Sequence, residues 1–220
     1  TLRETYPKAT IVGVPCDVTD PKAVQNLWIK TKEALGSVDI WINNAGIGQP
    51  PLGIWDLSPE ETKAVVDIDL LGLVYGCQVA MKGMLEQGGG QIYNMEGFGS
   101  DGKIRFGMGV YGAAKQAVRY LTRSLIKEAK ETPVVVGTLS PGIVITDFLT
   151  TMYSGDPESF EKARPIFNIL GDEPKTVTPW LADKVLNNHQ NGKSFVWLTP
   201  QKAMYRFMTA GFNKRDFFQN

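Results

Sequence analysis

Short apolar segments alternate along this chain with longer segments whose apolar residues recur at helical spacing. The short segments are rich in valine and isoleucine and predict strands. They cover residues 9–16, 38–43, 88–95, 134–140 and 194–198. Strands that alternate with helices in this way predict a parallel sheet covered by helices on both faces.

Capping residues mark where several of the intervening helices begin. Asp20 and Pro21 open a helix that ends at Gly36, and Ser58, Pro59 and two glutamates open a long helix that ends near residue 86. Two more helices are expected at about 110–130 and from about 200 onward. The chain shows no repeat and no linker, so we predict one domain over residues 1–220.

The order of the predicted elements differs from a complete doubly wound sheet. In that fold the first strand is central and carries a glycine-rich phosphate turn. Here the first predicted strand, 9–16, corresponds to the third strand of such a sheet. We therefore expect a Rossmann-type α/β domain that lacks the N-terminal strand 1–helix–strand 2 portion, and a chain that is part of a longer polypeptide.

A glycine-rich segment at residues 97–102, GFGSDG, matches the spacing G-x-G-x-x-G. The dinucleotide fingerprint needs a helix directly after its glycines, because the helix N-terminus binds the pyrophosphate. The next helix is predicted only near Val110. We therefore interpret the segment as part of the wall of a substrate site.

Composition and charge exclude several classes of protein. The 220 residues have 43% hydrophobic content and a formal net charge of +0, which argues against a nucleic-acid binder. The chain contains no run of 18 apolar residues and its first 13 residues lack a signal-peptide pattern, so neither a spanning helix nor secretion is expected. Cys16 and Cys77 are predicted to be free thiols, and a single histidine, His189, gives no basis for a metal site.

The first candidate for chemistry is the pair Tyr111 and Lys115. Their i, i+4 spacing places both on one face of a predicted helix. A lysine ammonium beside a phenol stabilises the phenolate and would lower the tyrosine pKa. Such a tyrosine can exchange a proton with a carbonyl or alcohol oxygen near neutral pH. The pair alone is also compatible with two surface residues.

Three further motifs follow predicted strands. Asp17 ends the first strand, NNAG at residues 43–46 ends the second, and SPGIVIT at residues 140–146 follows the fourth. Open α/β sheets bind their ligands at the carboxyl ends of the strands. These motifs therefore converge with Tyr111 and Lys115 on one predicted site.

The motifs CDVTD, NNAG, YGAAK and SPGIVIT, in this order, resemble those of the short-chain dehydrogenase/reductase family over essentially the whole chain. The resemblance implies that Tyr111 protonates the carbonyl oxygen and that Lys115 binds the nicotinamide ribose. It also implies NADPH as cofactor, with NAD as the alternative. The cofactor-binding residues that it implies, besides Lys115, are Asp17, Val18, Asn43, Ala45, Gly46, Pro141, Gly142, Ile143 and Thr146.

Two positions depart from the family pattern. Where the family has a serine shortly before the tyrosine, this chain reads Asn-Met-Glu-Gly and places Gly97. Ser100 is the nearest hydroxyl, and it is either a second donor to the substrate oxygen or a turn residue. Asp69 stands where the family has an asparagine that supports a proton-relay water. An aspartate also binds water, but its charge changes the surroundings of Lys115.

The segments NMEGFGS, DIWINNAG and LLGLVYG resemble the chlorophyll(ide) b reductases within this family. That resemblance implies reduction of the 7-formyl group of a chlorin. The alternatives are a dehydrogenase acting on smaller carbonyl or alcohol substrates and a binding or scaffold protein with little activity. The expected location is the cytoplasm, or the chloroplast and its thylakoids in a plant or alga.

The remaining expectations concern surfaces. Residues 147–175 are predicted to form a substrate lid. The C-terminal segment from residue 201 is rich in aromatic, methionine and basic residues, and it either packs on its own domain or meets a membrane or pigment. Members of the family usually pair through long helices, which implies a homo-oligomer.

Overall fold

The computed structural model describes residues 2–218, so Thr1, Gln219 and Asn220 lie outside the described residues. The elements in chain order are α1 (Leu2–Thr5), α2 (Pro21–Leu35), β1 (Ile40–Asn43), α3 (Pro59–Val66), a π-helical segment (Asp67–Gly72), α4 (Leu73–Gln87), β2 (Gly90–Met95), α5 (Gly109–Glu128), β3 (Val134–Ser140), α6 (Asp147–Met152), α7 (Pro157–Leu170), α8 (Pro174–Leu186), β4 (Ser194–Val196) and α9 (Pro200–Thr209).

The strands form a parallel sheet in the order β1-β2-β3-β4. Helices connect each strand to the next, as parallel pairing requires. The α/β class, the parallel sheet and four of the five predicted strands are therefore confirmed.

The predicted strand at residues 9–16 is wrong. These residues form no strand, and Val12 is exposed. An isolated strand cannot satisfy its backbone hydrogen bonds, so an apolar run becomes a strand only beside a partner. Within the described residues, β1 pairs with β2 and the run at 9–16 pairs with no strand. The absence of an N-terminal portion stays a prediction.

Helices cover both faces of the sheet. Ile92 of β2 faces a core built with α2, α4 and α5, whereas Tyr93 faces a core built with α8. A third apolar cluster lies around Tyr111 and contains residues of α6 and α7. The two sheet faces give the domain its core, and the third cluster closes the end at which the predicted site lies.

The long helix predicted from Ser58 is continuous from Pro59 to Gln87 through the π-helical segment. Ser58 caps it as predicted, and the structure adds a reciprocal bond in which the Glu61 side chain accepts from the Ser58 amide. Its most apolar 18-residue window has a mean hydropathy of 1.6, which suffices for a membrane span by length and composition. Because α4 contributes buried residues to the core beside β2, packing within the domain explains this apolarity.

Candidate active site

Helix α5 carries Tyr111 and Lys115 into the interior at the carboxyl end of the sheet. Only 6% of Tyr111 and 5% of Lys115 is exposed. The amide of Tyr111 donates to Oε1 of Gln49 at 2.7 Å, which fixes the first turn of the helix. The Nζ atom of Lys115 lies 5.5 Å from the centroid of the Tyr111 ring. The structure thus brings the predicted pair together as a buried unit.

Asp69 joins this pair from the π-helical segment. Its Oδ1 lies 2.7 Å from Nζ of Lys115, and its Oδ2 accepts a hydrogen bond of 3.0 Å from the amide of Ile47. A π turn contains an extra residue, which redirects side chains and is frequent at functional sites. The carboxylate is buried, so Lys115 has a fixed ion-pair partner.

The electrostatics of this triad differ from the expectation that Lys115 lowers the pKa of Tyr111. Burial and then the negative charge of Asp69 raise the pKa of Tyr111. Burial also raises the pKa of Asp69, against the opposing effect of Lys115. The ammonium of Lys115 is compensated by Asp69 and therefore does little to stabilise a phenolate.

Gly97 lies directly beside the tyrosine. A Cβ atom built at Gly97 would overlap the hydroxyl oxygen of Tyr111 and lie 3.2 Å from Cε of Lys115. Position 97 therefore faces the tyrosine hydroxyl, where the family pattern places a serine. A side chain at this position requires Tyr111 or the loop to move.

Ser100 is buried, and its hydroxyl is hydrogen-bonded to the backbone. Its Oγ donates to the carbonyl of Lys115 at 3.2 Å and accepts from the amide of Gly97 at 3.1 Å. These bonds connect the loop to α5, as expected if Ser100 is a turn residue. A role as substrate donor requires the bond to the Lys115 carbonyl to break.

The glycine-rich segment 97–102 opens no helix, as expected, since α5 begins at Gly109. Gly99 has φ +94°, and a Cβ there would lie 2.6 Å from Cα of Gly112. The glycine thus allows the loop to pack on the helix backbone.

The predicted cofactor residues of the first two motifs have different surroundings, and Asp17 ends no strand because residues 9–16 form none. Asp17 is exposed and accepts two hydrogen bonds from Thr19, which hold its pKa below the usual range. Val18 packs against Gly72 of the π-helical segment. A Cβ at Gly46 would lie 2.7 Å from Oδ1 of Asp69, so this glycine adjoins the triad. Ala45 is exposed.

Unlike those residues, Asn43 has a side chain that is hydrogen-bonded within the domain. Its Nδ2 donates to Oδ1 of Asn94 at 2.8 Å, and its Oδ1 accepts from Nε1 of Trp41 at 2.7 Å. Asn94 in turn donates to Thr122 of α5 at 2.9 Å. This amide chain links β1, β2 and α5 behind the site, so the Asn43 side chain positions the site.

The third predicted cofactor motif follows β3. Gly142 has φ +75°, and Ile143 accepts a hydrogen bond of 2.9 Å from the amide of Asp172. Pro141 and Ile143 are half-buried, while Gly142 and Thr146 are exposed. Thr146 precedes α6, which places this motif between the sheet edge and the predicted lid.

The predicted lid region, 147–175, contains α6 and α7 and lies over Tyr111. The rings of Phe148 and Tyr111 have centroids 6.1 Å apart. Met152 approaches the backbone of Gly48 so closely that a Cβ there would overlap its side chain. Between residues 46–52 and 147–156 lies a cleft of about 790 Å³. The tyrosine is therefore covered by apolar side chains beside an open cleft.

Sequence reasoning missed two contributors to this site. Gln49 is 1% exposed and holds the start of α5, while its Nε2 has no partner within residues 2–218. Phe148 covers the tyrosine. Gln49 lies three residues after the NNAG motif, a position whose importance only burial reveals.

Comparisons with known proteins agree with this geometry. The family model for short chain dehydrogenases matches residues 1–156. A chloroplastic protein of Oryza sativa named as a probable chlorophyll(ide) b reductase is 35% identical over 217 residues, which cover 98% of this chain and 42% of the relative. A chloroplastic chlorophyll(ide) b reductase of Arabidopsis thaliana is 38% identical over 180 residues, covering 79% and 50%.

Solved structures show the same fold. Levodione reductase superposes with a TM-score of 0.80 at 28% identity, covering 93% of this chain and 82% of that one. A closed form of serine dehydrogenase complexed with NADP+ gives 0.75 at 25% identity, covering 88% and 79%. The chain spans about half the length of the curated relatives it matches.

Proposed function

Because this chain belongs to the short-chain dehydrogenase family, a family of oxidoreductases, we propose that it is a carbonyl reductase that uses NADPH. The observation that carries the proposal is the buried triad of Tyr111, Lys115 and Asp69 at the carboxyl end of a parallel sheet. A phenol at this edge, next to a cleft, is suited to proton transfer with a substrate oxygen.

Each residue of the triad has a separate task in the proposed reaction. Tyr111 gives its proton to the carbonyl oxygen as the substrate is reduced to the alcohol. Its raised pKa keeps the phenol protonated, as a general acid in the direction of reduction requires. Lys115 binds the ribose and Asp69 fixes the lysine. Ser100 holds the loop beside Tyr111 and is the candidate second donor.

The carboxyl edge offers groups suited to a dinucleotide. Small or exposed residues at the ends of β1 and β3, including Gly46, Gly142 and Thr146, let a ligand approach the backbone. Asp17, which is exposed and whose pKa is lowered by hydrogen bonds from Thr19, is the proposed contact for the adenosine half. When bound, the nicotinamide supplies the hydride that reaches the carbonyl carbon.

The proposed substrate is a chlorin that carries a formyl group, as in chlorophyll(ide) b. Supporting this are the names of the relatives and the cleft of about 790 Å³, which lies within the range of ligand sites. In a plant or alga the protein would then act in the chloroplast. Homo-oligomerisation and contact with a thylakoid surface remain part of this proposal.

A scaffold protein of the same fold is the second candidate. It is favoured by Asp69, which stands where the family has an asparagine, and by Gly97, which leaves position 97 without a donor. A reductase converts the bound substrate, whereas a scaffold protein binds ligands with little or no turnover.

The test adds NADPH and chlorophyllide b to the full-length protein and follows the Soret band together with absorbance at 340 nm. We expect both signals to change together. The variant Tyr111→Phe should abolish that change and leave NADPH binding intact. Equal turnover in Tyr111→Phe and in the unaltered protein would refute the assignment of Tyr111. NADPH binding without pigment turnover would indicate a different substrate, and no NADPH binding would favour the scaffold.

A further inference from the structure

Two loops at the carboxyl edge expose large apolar side chains next to the cleft. The loop after β1 contributes Ile54 and Trp55, which are 66% and 78% exposed. The loop after β2 contributes Ile104 and Phe106, which are 96% and 71% exposed. We call these four side chains the apolar rim. Clusters of this kind on a domain surface mark binding sites.

The apolar rim is held in place by contacts between the two loops. The rings of Trp55 and Phe106 lie with their centroids 6.4 Å apart, inclined by 58°. Behind them, Gly107 has φ +77° and meets the backbone of Pro51, where an added Cβ would lie 2.7 Å from the carbonyl carbon. The two aromatic rings are therefore presented as one surface.

The apolar rim is continuous with the cleft beside the triad. Pro50, Pro51 and Leu52 line the cleft, and Ile54 and Trp55 follow in the chain after Gly53. One residue before Pro50, Gln49 holds the amide of Tyr111. A substrate that reaches Tyr111 through the cleft therefore has its outer part beside the apolar rim.

We propose that the apolar rim, through Trp55 and Phe106, binds the flat ring system of a large substrate while its carbonyl group reaches Tyr111. This inference rests on the proposed function and adds residues that select the substrate. Two exposed aromatic rings suit a planar conjugated ligand, because stacking and burial of apolar area stabilise the contact. A small aldehyde binds within the cleft and makes no contact with the rim.

The kinetic test compares Trp55→Ala and Phe106→Ala with the unaltered full-length protein. Tyr120→Ala is the matched control, since Tyr120 is 79% exposed on α5 and belongs to neither loop. We expect KM for chlorophyllide b to rise about tenfold in both rim variants. The kcat/KM for benzaldehyde should stay within about twofold of the unaltered value, and the control should change neither constant. Unchanged KM for chlorophyllide b, or an equal loss for both substrates, would overturn the proposal.

A binding test separates failure of the rim from failure of the proposed function. Chlorophyllide a has no 7-formyl group, so it tests docking without reduction. We expect it to quench tryptophan fluorescence in the unaltered protein, and this quenching to be weaker in Trp55→Phe. That result without reduction of chlorophyllide b would support the rim and refute the function. Normal reduction with quenching independent of Trp55 would refute the rim alone.

Vesicles of thylakoid galactolipids test whether the apolar rim contacts a lipid surface instead. If Trp55→Ala lost cosedimentation with these vesicles while its KM for soluble chlorophyllide b stayed unchanged, the rim would be a membrane contact. That outcome would overturn the assignment to the substrate.

Discussion

Replacement of Asp69 by asparagine tests whether the buried carboxylate sets the proton affinity of Tyr111. Oδ1 of Asp69 lies 2.7 Å from Nζ of Lys115, which itself lies 5.5 Å from the centre of the tyrosine ring. At an effective dielectric constant of about 20, an uncompensated lysine charge at this distance from the ring would stabilise the phenolate of Tyr111 by about 3 kcal/mol, or roughly two pKa units. Asp69 cancels most of this effect in the unaltered protein, and its own charge raises the pKa of Tyr111.

Asp69→Asn should therefore lower the pKa of Tyr111 by about one to two units. In the direction of reduction the tyrosine must be protonated, so activity is lost as the pH rises through its pKa. The alkaline limb of the pH profile of kcat/KM should accordingly move to lower pH by the same amount. In the direction of oxidation, activity should begin at a correspondingly lower pH.

The assay is the pH dependence of kcat/KM in both directions, taken below the melting temperature of each variant. Asp67→Asn is the matched control, because Asp67 belongs to the same π-helical segment and pairs with Lys63 at the surface. Profiles of Asp69→Asn that superpose on those of the unaltered protein would refute the reasoning. An equal shift in Asp67→Asn would show that the effect is one of net charge.

Two further substitutions test the surroundings of the triad, and a third tests an ion-pair cluster in the C-terminal part of the chain. Gly97→Ala should lower kcat about a hundredfold, because the added methyl group displaces Tyr111. Gly109→Ala is the control, since a Cβ at Gly109 meets open space, and it should leave kcat unchanged. Equal kcat values for the two variants would contradict this prediction. Ser100→Ala should lower the free energy of unfolding in urea by about 1–3 kcal/mol and kcat by less than about tenfold, since its hydroxyl bonds the loop; a larger loss of kcat at unchanged stability would place it on the substrate. Asp172→Ala should lower the free energy of unfolding by about 3–5 kcal/mol in the same assay, because Arg206, Arg215 and the indole of Trp197 bind its carboxylate. Unchanged stability would show that these contacts contribute nothing.

The sequence determined most of the fold because its local signals are strong. Asp20 caps α2 and Ser58 caps α3, as their positions predicted. The valine-rich run at 134–140 became β3 with the predicted bounds. Such signals depend on neighbours in the chain, so they can be read without a fold. The i, i+4 spacing of Tyr111 and Lys115 is a signal of the same local kind.

What only the tertiary structure decided depends on contacts between distant segments. The apolar run at 9–16 is no strand, because pairing needs a neighbour that local composition does not supply. The pKa of Tyr111 is raised, because burial and a charge from residue 69 act across 42 positions of the chain. Spacing places a lysine beside a tyrosine, but only the packed fold determines which carboxylate the lysine neutralises and how little water remains around the pair.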